Sequence, residues 1–190
     1  MKINKVIKVL TISNFLWTSG LGFIAPIFAI FVTRQIIGGD IEIAGFASSI
    51  YLIAFCLVRL PSARWVDKKM NNIQSLYLLI FGGILVALSY ILYILVHFPW
   101  QMYLLQALIG IGTGFNNSPG VGFFTRFLDK GEESFEWGIN AVAAMGGQAV
   151  AAALGGILAV RFGFNFVFIL VGLFVLFASL VPATFYKNLK

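Results

Sequence analysis

Charge is the first thing this sequence is short of. Lys, Arg, Asp and Glu together make up 11% of its 190 residues, against about a quarter in an ordinary soluble domain, so a water-facing surface cannot be assembled from it. The chain has a single cysteine, Cys56, and a single histidine, His97. The first excludes an internal disulfide, and together they exclude a cysteine- or histidine-based metal cluster. His97 stands beside Pro99 in a short polar turn and reads as a surface residue. Ser118 lies in an apolar stretch with no histidine or equivalent base within reach in sequence, which argues against a serine nucleophile and against an enzyme of any kind. The Gly-x-Gly-x-Gly of residues 110–114 has no preceding strand and reads as a packing motif rather than a dinucleotide loop.

What is present is apolar: 60% hydrophobic residues and 16% aromatics. A bilayer's hydrocarbon core needs about 20 consecutive apolar residues per helix. Stretches free of charge divide into six, with helices expected near 7–33, 43–60, 72–96, 100–125, 136–160 and 164–186. The turn His97-Phe98-Pro99 splits a stretch too long for one crossing. The fold class is therefore an all-α membrane protein, a single six-transmembrane-helix domain over 1–190. Lys2, Lys5 and Lys8 before an apolar run resemble a signal peptide, but the run is longer than a signal core and reads as a retained first helix.

The net charge of +6 would suggest nucleic acid in a soluble protein. Here the basic residues border hydrophobic spans, and their use is topological. With the N-terminus inside, Lys2, Lys5, Lys8, Arg59, Arg64, Lys68, Lys69, Arg126, Lys130, Lys187 and Lys190 are all cytoplasmic, leaving Arg34 and Arg161 outside. The expectation is a multi-pass protein of the cell membrane with both termini cytoplasmic and no nucleic-acid partner.

Polar side chains concentrate on helices 1, 4 and 5. Gln106, Gly110, Thr113 and Asn117 are spaced by four, three and four, which puts them on one helix face, flanked by Asn116 and Ser118. Asn14 and Thr18 on helix 1, and Asn140 and Gln148 on helix 5, complete the set. Such groups are unfavourable in lipid and should face the bundle interior or a wet cavity, where amides and hydroxyls suit a neutral or zwitterionic solute. Interhelical hydrogen bonding is the competing use of each one. No acid or base falls mid-span, so proton coupling has no evident carrier, and Glu136 at the mouth of helix 5 reads as a solvated loop charge. Helix 3 looks lipid-facing or supporting, and helix 6, almost wholly Phe, Val, Leu and Ile, lipid-exposed.

The loop after helix 2, Ala63-Arg-Trp-Val-Asp67-Lys68-Lys69-Met-Asn-Asn72, resembles the Gly-x-x-x-Asp-Arg/Lys-x-Gly-Arg/Lys-Arg/Lys signature of the major facilitator superfamily and occupies the same place in the order of spans. Gln106 to Gly114 is similar to that family's glycine-rich helix 4, Asp129 to Gly138 to its acidic loop, and Gly146-Gly147 with Leu154-Gly155-Gly156 to its helix 5 motif. The resemblance covers essentially the whole chain as one six-helix half. It implies transport of a small solute by alternating access, with no cofactor. Asp67, Lys68 and Arg126 would form a latch on the cytoplasmic face; a purely topological charge cluster is the alternative.

Family members pair two such halves around the substrate path. A chain running from Met1 to just past helix 6 implies a parallel homodimer, or a separately encoded partner half, or a truncated piece. A substrate-capturing subunit of a multi-subunit transporter and a non-transporting membrane protein are the other functional readings.

Overall fold

The computed structural model describes residues 4–184. Lys2, Lys187 and Lys190, and the end of the expected last helix, lie outside the described residues.

The first rod is α1 (Lys5–Ile24), a 3-10 turn (Ala25–Ile27) and α2 (Phe28–Gln35). Pro26 has no N–H to give and interrupts the ladder at that turn. It is followed by α3 (Ile41–Lys68), α4 (Asn72–Leu92, extended by a 3-10 turn to Leu95), α5 (Pro99–Arg126) and α6 (Glu133–Leu180). Their starts carry local signals. Asp40 Oδ1 accepts from Ile43 N–H at 2.7 Å, and Asn71 and Gln74 form a reciprocal capping box at 2.8 and 3.1 Å, satisfying amides that the first turn leaves unpaired. Four helical stretches, 5–35, 41–68, 72–95 and 133–184, are long and apolar enough to cross a membrane. α5 is as long as α3 but carries the amides and hydroxyls singled out above.

The last of those stretches is two arms. Gly163 has φ 83° and ψ 167°, outside the helical region and open only to glycine. Contacts along the first rod show what the break does. Asn14 and Thr18 bond to Asn140 and Ala144, and Gly22 packs on Gln148 and Ala151, so the arm 133–162 runs parallel to α1. Ser13 bonds to Ala178, Gly20 meets Phe174 and Phe31 meets Phe164, so the arm 164–180 runs back. The chain reverses at Gly163.

By the same test α3 and α5 are parallel (Tyr51 with Gly110, Val58 with Gly114) and α4 and α5 antiparallel (Gly82 with Gly112, Leu79 with Asn116). The two ends of the described chain therefore lie at one end of the bundle, where Asn4 Nδ2 donates to the Phe127 carbonyl at 3.3 Å. Lys5, Lys8, Arg64, Lys68, Lys69, Arg126 and Lys130 sit at that end, and Arg34 and Arg161 at the other.

Three readings are corrected. α3 does not stop near Leu60 before a basic loop; it continues as helix to Lys68 with Pro61 inside, because the long stems of Arg64 and Lys68 let their charges reach water from a helical backbone. Arg59 is consequently nine residues from that helix end, about 13 Å inside it at the α-helical rise. There its Nη1 donates to Ser118 Oγ at 2.7 Å, and Ser118 Oγ lies 2.6 Å from Ser62 Oγ. The second concerns exposure. Helices 3 and 6 of the sequence are exposed on one face only: Phe81 and Leu88 on α4 and Leu173 and Phe177 on the returning arm face outward, while Leu76, Leu79 and Val86, and Val167, Phe168, Val171 and Val175, are buried. The barest helix is α3, with 11% of its most apolar window buried against 44% in each of the other three spanning stretches. Lipid tails are as apolar as a bundle interior, so composition cannot separate the two faces.

The third is Glu136. It is not a solvated loop charge but is 2% exposed, with Oε2 accepting from Asp129 N–H at 3.0 Å. It closes the α5–α6 turn from inside.

Two apolar clusters result. One, around Phe31, Tyr93 and Phe168, fills the Arg34 end, with Tyr93 stacked on Phe168 at 4.6 Å. The other, Ile7, Leu10, Leu76, Leu79, Phe123 and Phe124, fills the Lys5 end.

Candidate functional site

Polar side chains gather between those two clusters. Asn14 is nine residues along α1 from Lys5, about 14 Å inside the bundle at the helical rise. Its Nδ2 donates to Asn140 Oδ1 at 3.1 Å, tying the first rod to the first arm of α6. One turn on, Thr18 Oγ1 donates to the Ala144 carbonyl at 3.0 Å and to its own Asn14 carbonyl at 2.9 Å. From α5, Asn116 Nδ2 donates to the Leu79 carbonyl at 2.8 Å, while Asn117, one residue later, has its side chain exposed. These groups surround a cavity of about 220 Å³ to which Asn14, Asn117 and Asn140 all contribute.

The cavity walls are aromatic. Trp17 and Trp137 line it, and Trp137 packs on Phe124 at 4.4 Å. These tryptophans, with Ser13 and Asn116, belong to the cavity although sequence reasoning did not assign them. A signal existed: Trp17 follows Asn14 by three residues and Trp137 precedes Asn140 by three, the spacing that places two helical side chains on one face. An amide that donates and accepts, beside a flat apolar ring, suits an uncharged polar molecule with one less polar face.

The remaining candidates are elsewhere. Gln106 and Thr113 share the helix face of Asn117 but are buried. Gln106 lies near Tyr93 and Thr113 near Tyr51, and Thr113 Oγ1 donates to the Ile109 carbonyl at 2.7 Å. They pack α5 against α3 and α4. Gln106 is eleven residues from Asn117, about 16 Å along the axis. Gln148 is exposed; the stripe facing α1 is Asn140, Ala144, Gly147 and Ala151, and Gln148 falls one residue off it. Thus Asn14, Asn117 and Asn140 meet at one cavity with Thr18 a turn above, and Gln106, Thr113 and Gln148 do not join them.

At the charged end, Asp67 Oδ1 lies 3.7 Å from Arg126 Nη2, with the two side chains 68% and 37% exposed. Arg126 Nη1 also donates to Asn72 Oδ1 at 3.1 Å, so it joins the ends of α3, α4 and α5. Lys68 is exposed on the neighbouring face of α3. Among the described residues no group of three or more His, Cys, Asp or Glu could hold a metal ion.

The long apolar helices, the reversal at Gly163 and the polar level define a multi-pass helical membrane protein with a half-open cavity between α1, α5 and α6. The profile of the Major Facilitator Superfamily matches residues 10–189, and the chain belongs to that family as a half-unit. Among solved structures it is similar to one described as an in meso crystal structure of the POT family transporter PepTSo, with a TM-score of 0.80 at 16% identity. That match covers 100% of this chain and 39% of the other, so the chain spans well under half the length of the structure it matches. No curated protein matches significantly.

Proposed function

We propose that this chain is half of a solute transporter of the cell membrane, crossing it six times with both termini cytoplasmic, and that a second copy supplies the other half. The observation that carries the reading is the convergence of Asn14, Asn117 and Asn140, with Trp17 and Trp137, on one half-open cavity in a chain of the major facilitator family. The reversal at Gly163 supports six crossings, counting each arm of α6 as one. The basic residues gathered at the end that holds both described termini support their cytoplasmic placement. The substrate is a small neutral or zwitterionic solute held by the asparagines against the indoles. Gln106 and Thr113 stiffen the wall behind it, and Thr18 fixes the Asn14 level. Gln148, exposed on the first arm, faces the partner half. Access alternates as the halves rock, with Asp67 and Arg126 latching the cytoplasmic side beside Lys68.

Proteoliposomes holding the chain should take up one or more labelled members of a panel of sugars, amino acids and short peptides. Asn117→Leu is the informative variant, because Asn117 is exposed to the cavity. It should lose uptake while leaving the melting temperature close to that of the parent. Uptake that survives Asn117→Leu and Asn14→Ala alike removes the cavity from the transport path.

A further inference from the structure

A second concavity lies on the opposite side of α5 from the asparagine cavity. Phe115 lines it and Asn117 lines the cavity; two residues apart, they are about 200° apart around the helix axis. It is a groove of about 640 Å³ running along α3, the barest helix of the bundle. Its two ends differ in chemistry. The deep end is apolar: Leu57, Val58, Pro61 and Phe115. The end at the helix terminus carries Arg64, Lys68 and Lys69, all exposed, with Trp65 beside them at 52% exposure. From Leu57 to Lys68 is eleven residues, about 16 Å of helix.

No carboxylate lines this groove. The nearest acid along the chain, Asp67, faces Arg126 at 3.7 Å. Three cations above an apolar trough are complementary to a molecule with an anionic head and a hydrocarbon tail. A tryptophan at the junction is placed where indoles sit at a membrane–water boundary, and basic pockets on the flanks of membrane helices bind anionic headgroups. A soluble anion would leave the trough bare. A neutral helix from another copy would leave the cations unpaired.

We infer that this groove holds an anionic phospholipid, its phosphate against Arg64, Lys68 and Lys69 and one acyl chain along Leu57, Pro61 and Phe115. The inference needs the chain to sit in a bilayer with this end at the headgroup level. It does not depend on what the asparagine cavity carries.

The test uses the full chain with Trp17, Trp100 and Trp137 replaced by Phe, leaving Trp65 as the reporter. The protein is reconstituted in phosphatidylcholine containing equal mole fractions of either brominated phosphatidylglycerol or brominated phosphatidylcholine. Quenching by the anionic lipid should correspond to a relative affinity about fivefold or more above the zwitterionic one, the factor that a single near-surface cation supplies. It should fall to about one in the triple variant Arg64→Gln, Lys68→Gln, Lys69→Gln. Inorganic phosphate should leave the quenching unchanged.

Trp17 and Trp137 line the asparagine cavity, so the unmodified chain provides a second measurement. Native mass spectrometry from mixed vesicles should show retained phosphatidylglycerol, lost in the same triple variant. Equal quenching by the two lipids, a preference that survives the triple variant, displacement by phosphate, or Trp65 screened from both lipids by a second copy would each overturn the assignment.

Discussion

The α4–α5 contact depends on a glycine in a way that gives a signed prediction. A Cβ placed at Gly82 would stand 2.5 Å from the Gly112 carbonyl oxygen and 2.6 Å from the Asn116 amide nitrogen, both backbone atoms that cannot rotate away. Carbon contacts are comfortable at about 3.5–4.0 Å, so Gly82→Ala forces the two helices apart by about an ångström. That also stretches the bond from Asn116 Nδ2 to the Leu79 carbonyl, now 2.8 Å, toward the limit of useful geometry. Overpacking of this kind destabilises by about 1–3 kcal/mol, and loss of an interhelical membrane hydrogen bond adds about 0.6 kcal/mol. The intrinsic helix preference for Ala returns about 0.5–1 kcal/mol.

Gly45→Ala is the matched control, because a Cβ there meets nothing within 4 Å and only the favourable term, about 0.5–1 kcal/mol, applies. The two substitutions, identical in chemistry, should differ by about 1–4 kcal/mol in unfolding free energy. Equilibrium unfolding in mixed micelles with rising dodecyl sulfate, followed by circular dichroism, measures this. A Gly82→Ala protein as stable as Gly45→Ala would refute the packing described for α4 and α5.

Three further outcomes follow from the contacts. Glu136→Ala, which leaves the Asp129 amide without its buried acceptor, should lower stability by about 1–3 kcal/mol, and Glu136→Gln should restore most of it in the same micelle titration. Asp67→Asn should change stability by less than about 1 kcal/mol, since an exposed pair 3.7 Å apart contributes little. It should nevertheless raise labelling of a cysteine placed at the cavity mouth on the Lys5 end of the bundle, if the pair is a latch. A double-mutant cycle on Asn14→Ala and Asn140→Ala should give a coupling of about 0.6 kcal/mol, the usual size of an interhelical bond in a membrane; zero coupling would dissociate the two side chains.

The spans were legible because charge is so scarce that charged residues gather near the rod ends; 36–40 and 127–132 fall between rods for that reason, and Arg59, well inside α3, is the exception. The end of α3 was not legible, since Arg64 and Lys68 look like loop residues until their stems are allowed to reach water from a helix. Burial was not legible either. Val171 and Val175, buried in a core, and Leu57 and Leu60, exposed on α3, are chemically alike, and only the shape of the bundle separates them. At the candidate site, helix periodicity put Gln106, Thr113 and Asn117 on one face correctly. It carried no information on depth, which leaves Asn117 at the cavity and the other two packed behind tyrosines. Asn14 and Asn140 meet across 126 residues of sequence, a pairing that local spacing cannot reveal.

The central claim is that one copy is half of the transporting unit. Counting labelled subunits in a lipid bilayer by single-molecule photobleaching, over a range of protein-to-lipid ratios, tests it directly. Two copies per particle, with solute uptake rising in step with the two-copy population, is the predicted result. Single copies at every density, whether or not the vesicles take up solute, would contradict it.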